Sequence, residues 1–96
     1  MIIETPYKAT DAVTIKTTSG EEIIARFVDE DANTITITKP MALMMAQNGP
    51  GLGPFCFTVN PDVKLKLNKS GILFVAKSDE EMGKQYIQST SGIQMI

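Results

Sequence analysis

VTIKTTSGEEIIARFVDEDANTITIT, residues 13–38, decides the fold because three strand-like runs and both of the turns between them lie in it without a gap. In residues 12–18, Val13 and Ile15 alternate with polar neighbours, which is the two-residue period of a half-buried strand. Gly20 can adopt a positive φ at no steric cost, so a tight turn is expected to follow that strand. The stretch therefore begins with a predicted β-hairpin.

The second and third runs extend this hairpin into a meander. Residues 21–28 contain two pairs of consecutive apolar residues, Ile23-Ile24 and Phe27-Val28. Consecutive residues of a strand point to opposite faces, so this strand cannot keep one buried face along its whole length and is predicted to bend. The acidic residues 29–31 favour a turn, and isoleucine then alternates with threonine over residues 34–38. Pro40 has no N–H to donate to a neighbouring strand, so it is expected to end the third run.

The rest of the chain adds further strands and one helix. Runs with strand-like patterns follow at residues 55–59, 63–67 and 72–75. Ser78 and Glu81 have the spacing of a capping box, which predicts a short helix that ends near Gln88. The apolar tail, residues 93–96, is expected to be buried, and a neighbouring molecule is one place where it could pack.

Residues 41–46 are the least regular part of the sequence. Pro40 can start a helix and Asn48-Gly49 can end one, so a helix of two turns is one interpretation. An extended continuation of the preceding strand is the other. Half of the six methionines of the chain lie here, and methionine serves both cores and adaptable contact surfaces. For Met41, Met44 and Met45, a partner contact is therefore one hypothesis, and packing against the rest of the same chain is the alternative.

Length and composition predict a single domain over residues 1–96, with a core at about 12–76 and a C-terminal helix and tail at 77–96. The net charge of −2 is not typical of a non-specific nucleic-acid binder. The chain has no apolar run of the roughly 20 residues that a membrane span needs. A single cysteine excludes an internal disulfide, and no secretory signal is visible, so we expect a cytoplasmic protein without a membrane partner.

The sequence contains no recognisable catalytic set. It has no histidine, so the commonest general base and the commonest metal ligand are both missing. Cys56 lies in an apolar run, which favours packing. The acidic residues 29–31 lack the rest of a Ca²⁺ loop, and the glycine-rich residues 49–54 lack the lysine and hydroxyl of a phosphate loop. We therefore expect no catalytic residue, no metal site and no cofactor, and hence a protein that is not an enzyme.

Two segments of the chain resemble the motifs of the Sm-like family, which comprises the Sm, LSm and Hfq proteins. Residues 67–74 are similar to the second motif, with Asn68-Lys69 in place of the usual Arg-Gly pair. In the first motif, alanine replaces the glycine at the bend, and the turn that follows is shorter than in the family. The style of the sequence is also similar to that of Sm-like proteins from bacteriophages of marine cyanobacteria. The positions that match the first motif are Gly20, Ala25, Phe27, Asp29, Asn33, Ile35 and Ile37.

The resemblance implies an all-β fold: a five-stranded, strongly bent antiparallel barrel with a short C-terminal helix and an insertion at residues 40–54. It also implies a homo-oligomeric ring in which the last two strands of neighbouring copies pair. The residues that would form this interface are Val63, Leu65, Leu67, Ile72 and Phe74.

Members of this family bind single-stranded RNA with two turns that line the pore of the ring. Transferred to this sequence, the first turn provides Asp29 and Asn33 and the second provides Asn68 and Lys69. Amide side chains can read a base edge, and a lysine can contact a phosphate. DNA is not an expected partner. The alternative hypothesis is a structural or protein-interaction ring that binds no nucleic acid and makes its contacts through the methionine segment and the tail.

Overall fold

The computed structural model describes residues 7–90, which form one antiparallel sheet and one helix. The predicted burial of residues 93–96 lies outside this range. A single turn of 3-10 helix, Lys69–Gly71, precedes the last strand. The strands are β1 (Ala12–Thr17), β2 (Glu22–Glu30), β3 (Thr34–Ala46), β4 (Gly49–Pro54), β5 (Leu65–Asn68) and β6 (Ile72–Lys77), and the helix is α1 (Glu80–Thr90).

The sheet is five strands wide, because β4 and β5 share one position. Its order is β4-β3-β2-β1-β6, and β5 also pairs with β3. β4 pairs with the second half of β3, and β5 pairs with the first half. Both lie on the edge of β3 that faces away from β2, so they act as two pieces of one interrupted strand. β6 forms the opposite edge through its pairing with β1.

Two irregularities bend the central strands. Ile24 pairs with Met41 but Arg26 pairs with Thr38, so two residues of β3 lie opposite the single residue Ala25. A second shift lies between Phe27 and Asp29 on β2. Such bulges bend a strand and increase its twist. The predicted bend of the second strand is therefore observed, with Ala25 fully buried at the position of the first shift.

The bend divides the interior between two apolar clusters. The larger cluster lies inside the curved sheet, and the smaller one lies between the sheet and α1. The larger consists of Val13, Ile15, Ile23, Ala25, Phe27, Ile35 and Ile37. The smaller consists of Ala12, Ile24 and Tyr86, with Met41 and Leu52 packed against it. Ile23 and Ile24 are neighbours in sequence but belong to different clusters, which explains why β2 has apolar residues on both faces.

The helix proposed for residues 41–46 is wrong, and the extended alternative is right. β3 continues through Ala46 and returns as β4, with Gly49 at φ +109° after the turn. The predicted strand at residues 55–59 is also wrong. β4 occupies the outer edge of β3 up to Pro54 and β5 occupies it from Leu65, so the residues between them have no free partner and form a loop. We call residues 55–64 the excursion loop.

The helix forms where the sequence predicts it, although another residue caps it. The Asp79 carbonyl accepts a hydrogen bond from the Gly83 N–H at 2.7 Å. The Asp79 Oδ2 accepts another from the Met82 N–H at 3.3 Å. Ser78, the predicted cap, instead hydrogen-bonds the Thr14 hydroxyl at 2.8 Å. Asp79 is therefore the N-cap, and Ser78 connects the start of the helix to β1.

Candidate nucleic-acid interface

The structure brings the two predicted RNA-binding turns together. β3 begins at Thr34 and β5 ends at Asn68, and the antiparallel pairing places these two residues opposite each other. The Lys69 N–H then donates a hydrogen bond to the Asn33 carbonyl at 2.9 Å. Asn33 and Asn68 are both exposed, and Lys69, the neighbour of Asn68 in sequence, is half-buried.

Asp31 shapes the first of these turns. Its Oδ1 accepts hydrogen bonds from the N–H groups of Asn33 at 2.8 Å and Thr34 at 2.7 Å, and from the Thr34 hydroxyl at 3.1 Å. These bonds, the one from the Asn33 N–H first, hold the pKa of the Asp31 carboxyl below its usual value. The Asp31 carboxylate thus stabilises a short turn between β2 and β3. The sequence contains a signal for this role, because an Asp two positions before a turn residue is typical of an Asx turn.

Glu30 is a second residue that the sequence-based prediction omitted. Its carboxylate pairs with the Lys69 ammonium at 3.1 Å. The Tyr7 hydroxyl donates to the same carboxylate at 3.2 Å, and the Tyr7 ring lies edge-on to Phe27 with centroids 4.7 Å apart. Burial, together with the negative charge of Glu30, raises the pKa of Tyr7. Lys69 is therefore neutralised in part by a carboxylate of its own chain.

Asp29 is separated from the other three predicted residues. It lies on β2 opposite Thr36, and its Oδ1 accepts a hydrogen bond from the Glu30 N–H at 2.8 Å. Successive residues of a strand point to opposite faces, and it is Glu30 that faces Lys69. Within residues 7–90, no hydrogen bond connects the Asp29 side chain with Asn33, Asn68 or Lys69.

The predicted interface residues lie on or near the two edges of the sheet. Leu65, Leu67 and Ile72 are half-buried and pack against the larger cluster. Phe74 is 52% exposed, and Leu73, which the sequence-based prediction omitted, is 64% exposed. These two are consecutive in β6, so this edge strand presents apolar side chains on both faces.

The fifth candidate interface residue, Val63, lies outside any strand. It belongs to the excursion loop and is exposed, and its N–H donates to the Asn60 carbonyl at 3.0 Å. Because β5 begins only at Leu65, Val63 is not positioned on the sheet edge with the other four.

The structure separates the three candidate methionines. Met41 packs against the smaller cluster, below the helix. Met44 and Met45 lie near the tip of the β3–β4 hairpin and are 47% and 79% exposed. The surface available for a partner contact thus contains Met44 and Met45.

The described part of the chain has neither a metal-binding cluster nor a membrane-spanning helix. Residues 7–90 contain no cluster of three or more side chains of the types that hold a metal ion. Their one helix, α1, is too short to cross a lipid bilayer.

Comparison with known proteins identifies a solved structure with a similar fold. No protein-family model matches the sequence, and no curated protein matches it either. Among solved structures, the chain is similar to a heptameric archaeal Sm protein, described for its implications for the eukaryotic snRNP core, with a TM-score of 0.50. The fold is that of an Sm-like barrel. The match covers 73% of this chain and 88% of the archaeal chain at 10% identity, so the likeness is one of fold. The predicted fold class is confirmed.

Proposed function

We propose that this chain assembles into a closed homo-oligomeric ring through β5 of one copy and β6 of the next, and that the paired turns of the ring bind single-stranded RNA. The observation that carries the assembly is the edge strand β6, where Leu73 and Phe74 expose apolar side chains on both faces. An uncovered edge strand of this kind invites pairing with another chain, and a native protein normally covers it.

The position of the edges supports a ring. β6 and the shared β4/β5 position form the two ends of one sheet, so one copy can offer β6 to the β5 of the next. Contacts between two different surfaces of identical copies form a closed ring when the rotation between copies closes. The archaeal protein of the same fold is itself described as heptameric.

The RNA half of the proposal rests on the paired turns. Asn33 and Asn68 offer amide groups that can pair with base edges, and Lys69 offers a positive charge beside them. Glu30 takes up part of that charge, and Asp31 adds a further carboxylate in the turn between β2 and β3. We therefore propose recognition through base edges more than through phosphates, with modest affinity. The place of action in this proposal is the cytoplasm, that of a bacterial host if the chain has the phage origin that its sequence style resembles.

Native mass spectrometry with and without short oligo-U or oligo-A tests both halves, because it reports copy number and bound RNA together. We expect a single oligomer that gains RNA at low salt, and weaker binding in the Asn68→Ala, Lys69→Ala double variant. A monomer at micromolar concentration would overturn the ring. An intact ring without RNA at low salt would overturn only the RNA half.

A pair of substitutions tests whether β6 forms the ring contact. Leu73→Lys puts a charge on the exposed edge and is expected to convert the oligomer into monomers without unfolding the chain. Ile87→Lys is the matched control, since Ile87 is also an exposed apolar residue but lies on the helix. Light scattering gives the masses, and far-ultraviolet circular dichroism checks the fold. A Leu73→Lys ring of unchanged mass would exclude this edge.

The exposed hairpin favours a second candidate function. Met44 and Met45 place two flexible apolar side chains near the tip of the hairpin, which suits an adaptable contact with another protein. In this alternative the ring is a structural or interaction module without RNA. Met44→Asp is expected to lower the oligomer size or to abolish capture of a partner protein, and a variant unchanged in both respects would remove the candidate.

A further inference from the structure

A cavity of about 650 Å³ opens beside the C-terminal end of α1. The base of the β3–β4 hairpin, the excursion loop and the last helical turn surround it. Its lining is mainly apolar and includes Met41, Cys56, Phe57, Val59, Leu65 and Thr90. The cavity lies beside the first bulge of β3, at Lys39 and Pro40, whereas the paired turns lie where β3 begins.

The wall of the cavity is held in place although its apolar side chains are uncovered. Within residues 7–90, Phe57 remains 84% exposed, and Val59 is also exposed. The loop that carries them is tied to β3: the Lys39 N–H donates to the Pro61 carbonyl at 2.7 Å, and the Lys39 ammonium pairs with the Asp62 carboxylate. A fixed loop that displays an aromatic ring over an apolar cavity is suited to a covering segment.

The chain leaves the helix at this cavity. Thr90, the last residue described, lines it, and the Thr90 hydroxyl donates to the Tyr86 carbonyl at 2.9 Å in the final turn. Gly92 follows two residues later, at a position where a glycine commonly reverses the chain after a helix. Residues 93–96 then read Ile-Gln-Met-Ile. Three extended residues span roughly 10 Å, so this segment can reach the cavity from Thr90.

We propose that residues 93–96 occupy this cavity in their own chain, with Ile93 and Met95 against Phe57 and Val59. In an extended segment, Ile93 and Met95 point to the same side, and Gln94 points away from it. The segment covers apolar side chains that the rest of the protomer leaves exposed, and it fastens the end of the helix to the excursion loop. This proposal is independent of ring assembly and of RNA binding.

Cys56 is the single cysteine of the chain and lines the cavity, so it serves as the reporter. In the Met95→Cys variant, mild oxidation is expected to form a disulfide with Cys56 within one chain. Intact mass and a non-reducing gel detect it as a monomer that has lost two hydrogens. Gln47→Cys is the matched control, because Gln47 lies at the hairpin tip, about 20 Å along β4 from the cavity.

Thiol labelling of Cys56 provides the second measurement. The Ile93→Asp, Met95→Asp variant is expected to label several-fold faster than the wild type, and Gln94→Ala is expected to label at the wild-type rate. Equal rates in all three chains, together with no disulfide in Met95→Cys, would overturn the proposal. Disulfides that join two chains, and persist on dilution, would also overturn it, because they would place the segment in a neighbouring copy.

Discussion

Lys39 adopts a left-handed backbone conformation with φ +52°, and contacts on three sides hold it there. Its N–H donates to the Pro61 carbonyl at 2.7 Å, and its carbonyl accepts a hydrogen bond from the Tyr86 hydroxyl at 2.6 Å. Its ammonium pairs with Asp62. For a residue other than glycine, this backbone conformation costs about 1–2 kcal/mol of conformational free energy. These contacts offset that cost, and together they connect β3, the excursion loop and α1 at the first bulge.

The Tyr86 hydroxyl should make the stability of the protein depend on pH in the alkaline range. Tyr86 is fully buried, and this burial raises its pKa from 10.0 to about 12. Below pH 10 the hydroxyl keeps its proton in both states, so its contribution to stability is complete. Above pH 10 the unfolded chain ionises first, and the contribution is lost as the pH rises through the folded pKa. The free energy of unfolding should fall by about 3 kcal/mol as the pH rises from below the unfolded pKa to above the folded one.

Tyr86→Phe separates this effect from the titration of lysines. Removing the hydroxyl should cost about 1 kcal/mol at neutral pH, because the Lys39 carbonyl loses its donor. At high pH the difference between variant and wild type should shrink and then reverse. Urea unfolding at several pH values measures this. The Tyr7→Phe variant should show the same trend more weakly, because the pKa of the half-buried Tyr7 is also raised. A constant difference across the whole pH range would contradict the assignment.

In the proposed RNA site, Glu30 should limit how strongly Lys69 attracts RNA. The Glu30→Gln substitution removes the carboxylate 3.1 Å from the Lys69 ammonium, while an amide oxygen can still accept the Tyr7 hydrogen bond. We expect several-fold tighter binding of oligo-U or oligo-A and a steeper dependence on salt, because one more cation becomes available to phosphate. Fluorescence anisotropy measures the affinity. Glu22→Gln, on the same strand but paired with Lys16, is the control. Equal affinities for both variants would exclude Lys69 from the RNA site.

Among the elements, α1 contains a glycine, Gly83, whose replacement by alanine should increase the stability of the protein. Gly83 is buried against β1, and a Cβ added there would lie 3.9 Å from the Ala12 Cβ, an ordinary van der Waals distance. Alanine in a helix interior is favoured over glycine by about 0.5–1 kcal/mol, so Gly83→Ala should stabilise the protein by that amount. Thermal or urea unfolding measures the change.

Gly20 provides the opposite case for the same substitution. A Cβ there would meet nothing within 4 Å, but φ is +99° in the turn between β1 and β2. Gly20→Ala should therefore destabilise the protein by about 1 kcal/mol although space is available. If both alanine variants changed stability in the same direction, backbone conformation would not be what distinguishes these two positions.

At the scale of elements, local patterns predicted β1, β2, the bend and α1, because alternation and turn residues determine them within residues 13–38 and 78–90. The failure at residues 55–59 has a non-local cause. That run is strand-like by itself, but β4 and β5 already occupy the edge of β3 that it would need. The outcome depends on competition for one edge, which no local window contains.

The candidate site shows the same division between local and non-local information. The family resemblance implied that the turn with Asn33 and the turn with Lys69 both line the pore of a ring, and a hydrogen bond between their backbones makes the two turns neighbours. The pairing of Glu30 with Lys69 was not predictable from alternation. It depends on the register shift between Phe27 and Asp29, which decides the face on which Glu30 emerges.

At the scale of the whole molecule, the hairpin and the edge strand leave apolar surface at separate places. The described part of the chain extends 45 Å along its longest axis and about 27 Å across. Exposed apolar side chains lie on β6, near the hairpin tip and around the cavity by α1. In the proposed ring, a neighbouring copy covers the apolar side chains of β6. The chain's own C-terminal segment is proposed to cover those around the cavity. The methionines at the hairpin tip then remain available for a third contact.

Ring assembly should make the thermal stability of the protein depend on its concentration. If folded copies associate and unfolded chains do not, mass action favours the folded state as the concentration rises, so Tm should increase over about a hundredfold range of concentration. Leu73→Lys should abolish this dependence and give the Tm of an isolated protomer, whereas Ile87→Lys should retain it, because only Leu73 lies on the β6 edge. Differential scanning calorimetry measures each variant. A wild-type Tm that does not change with concentration would mean that unfolding is not coupled to assembly, and the contact between β5 and β6 would then be too weak to hold the proposed ring.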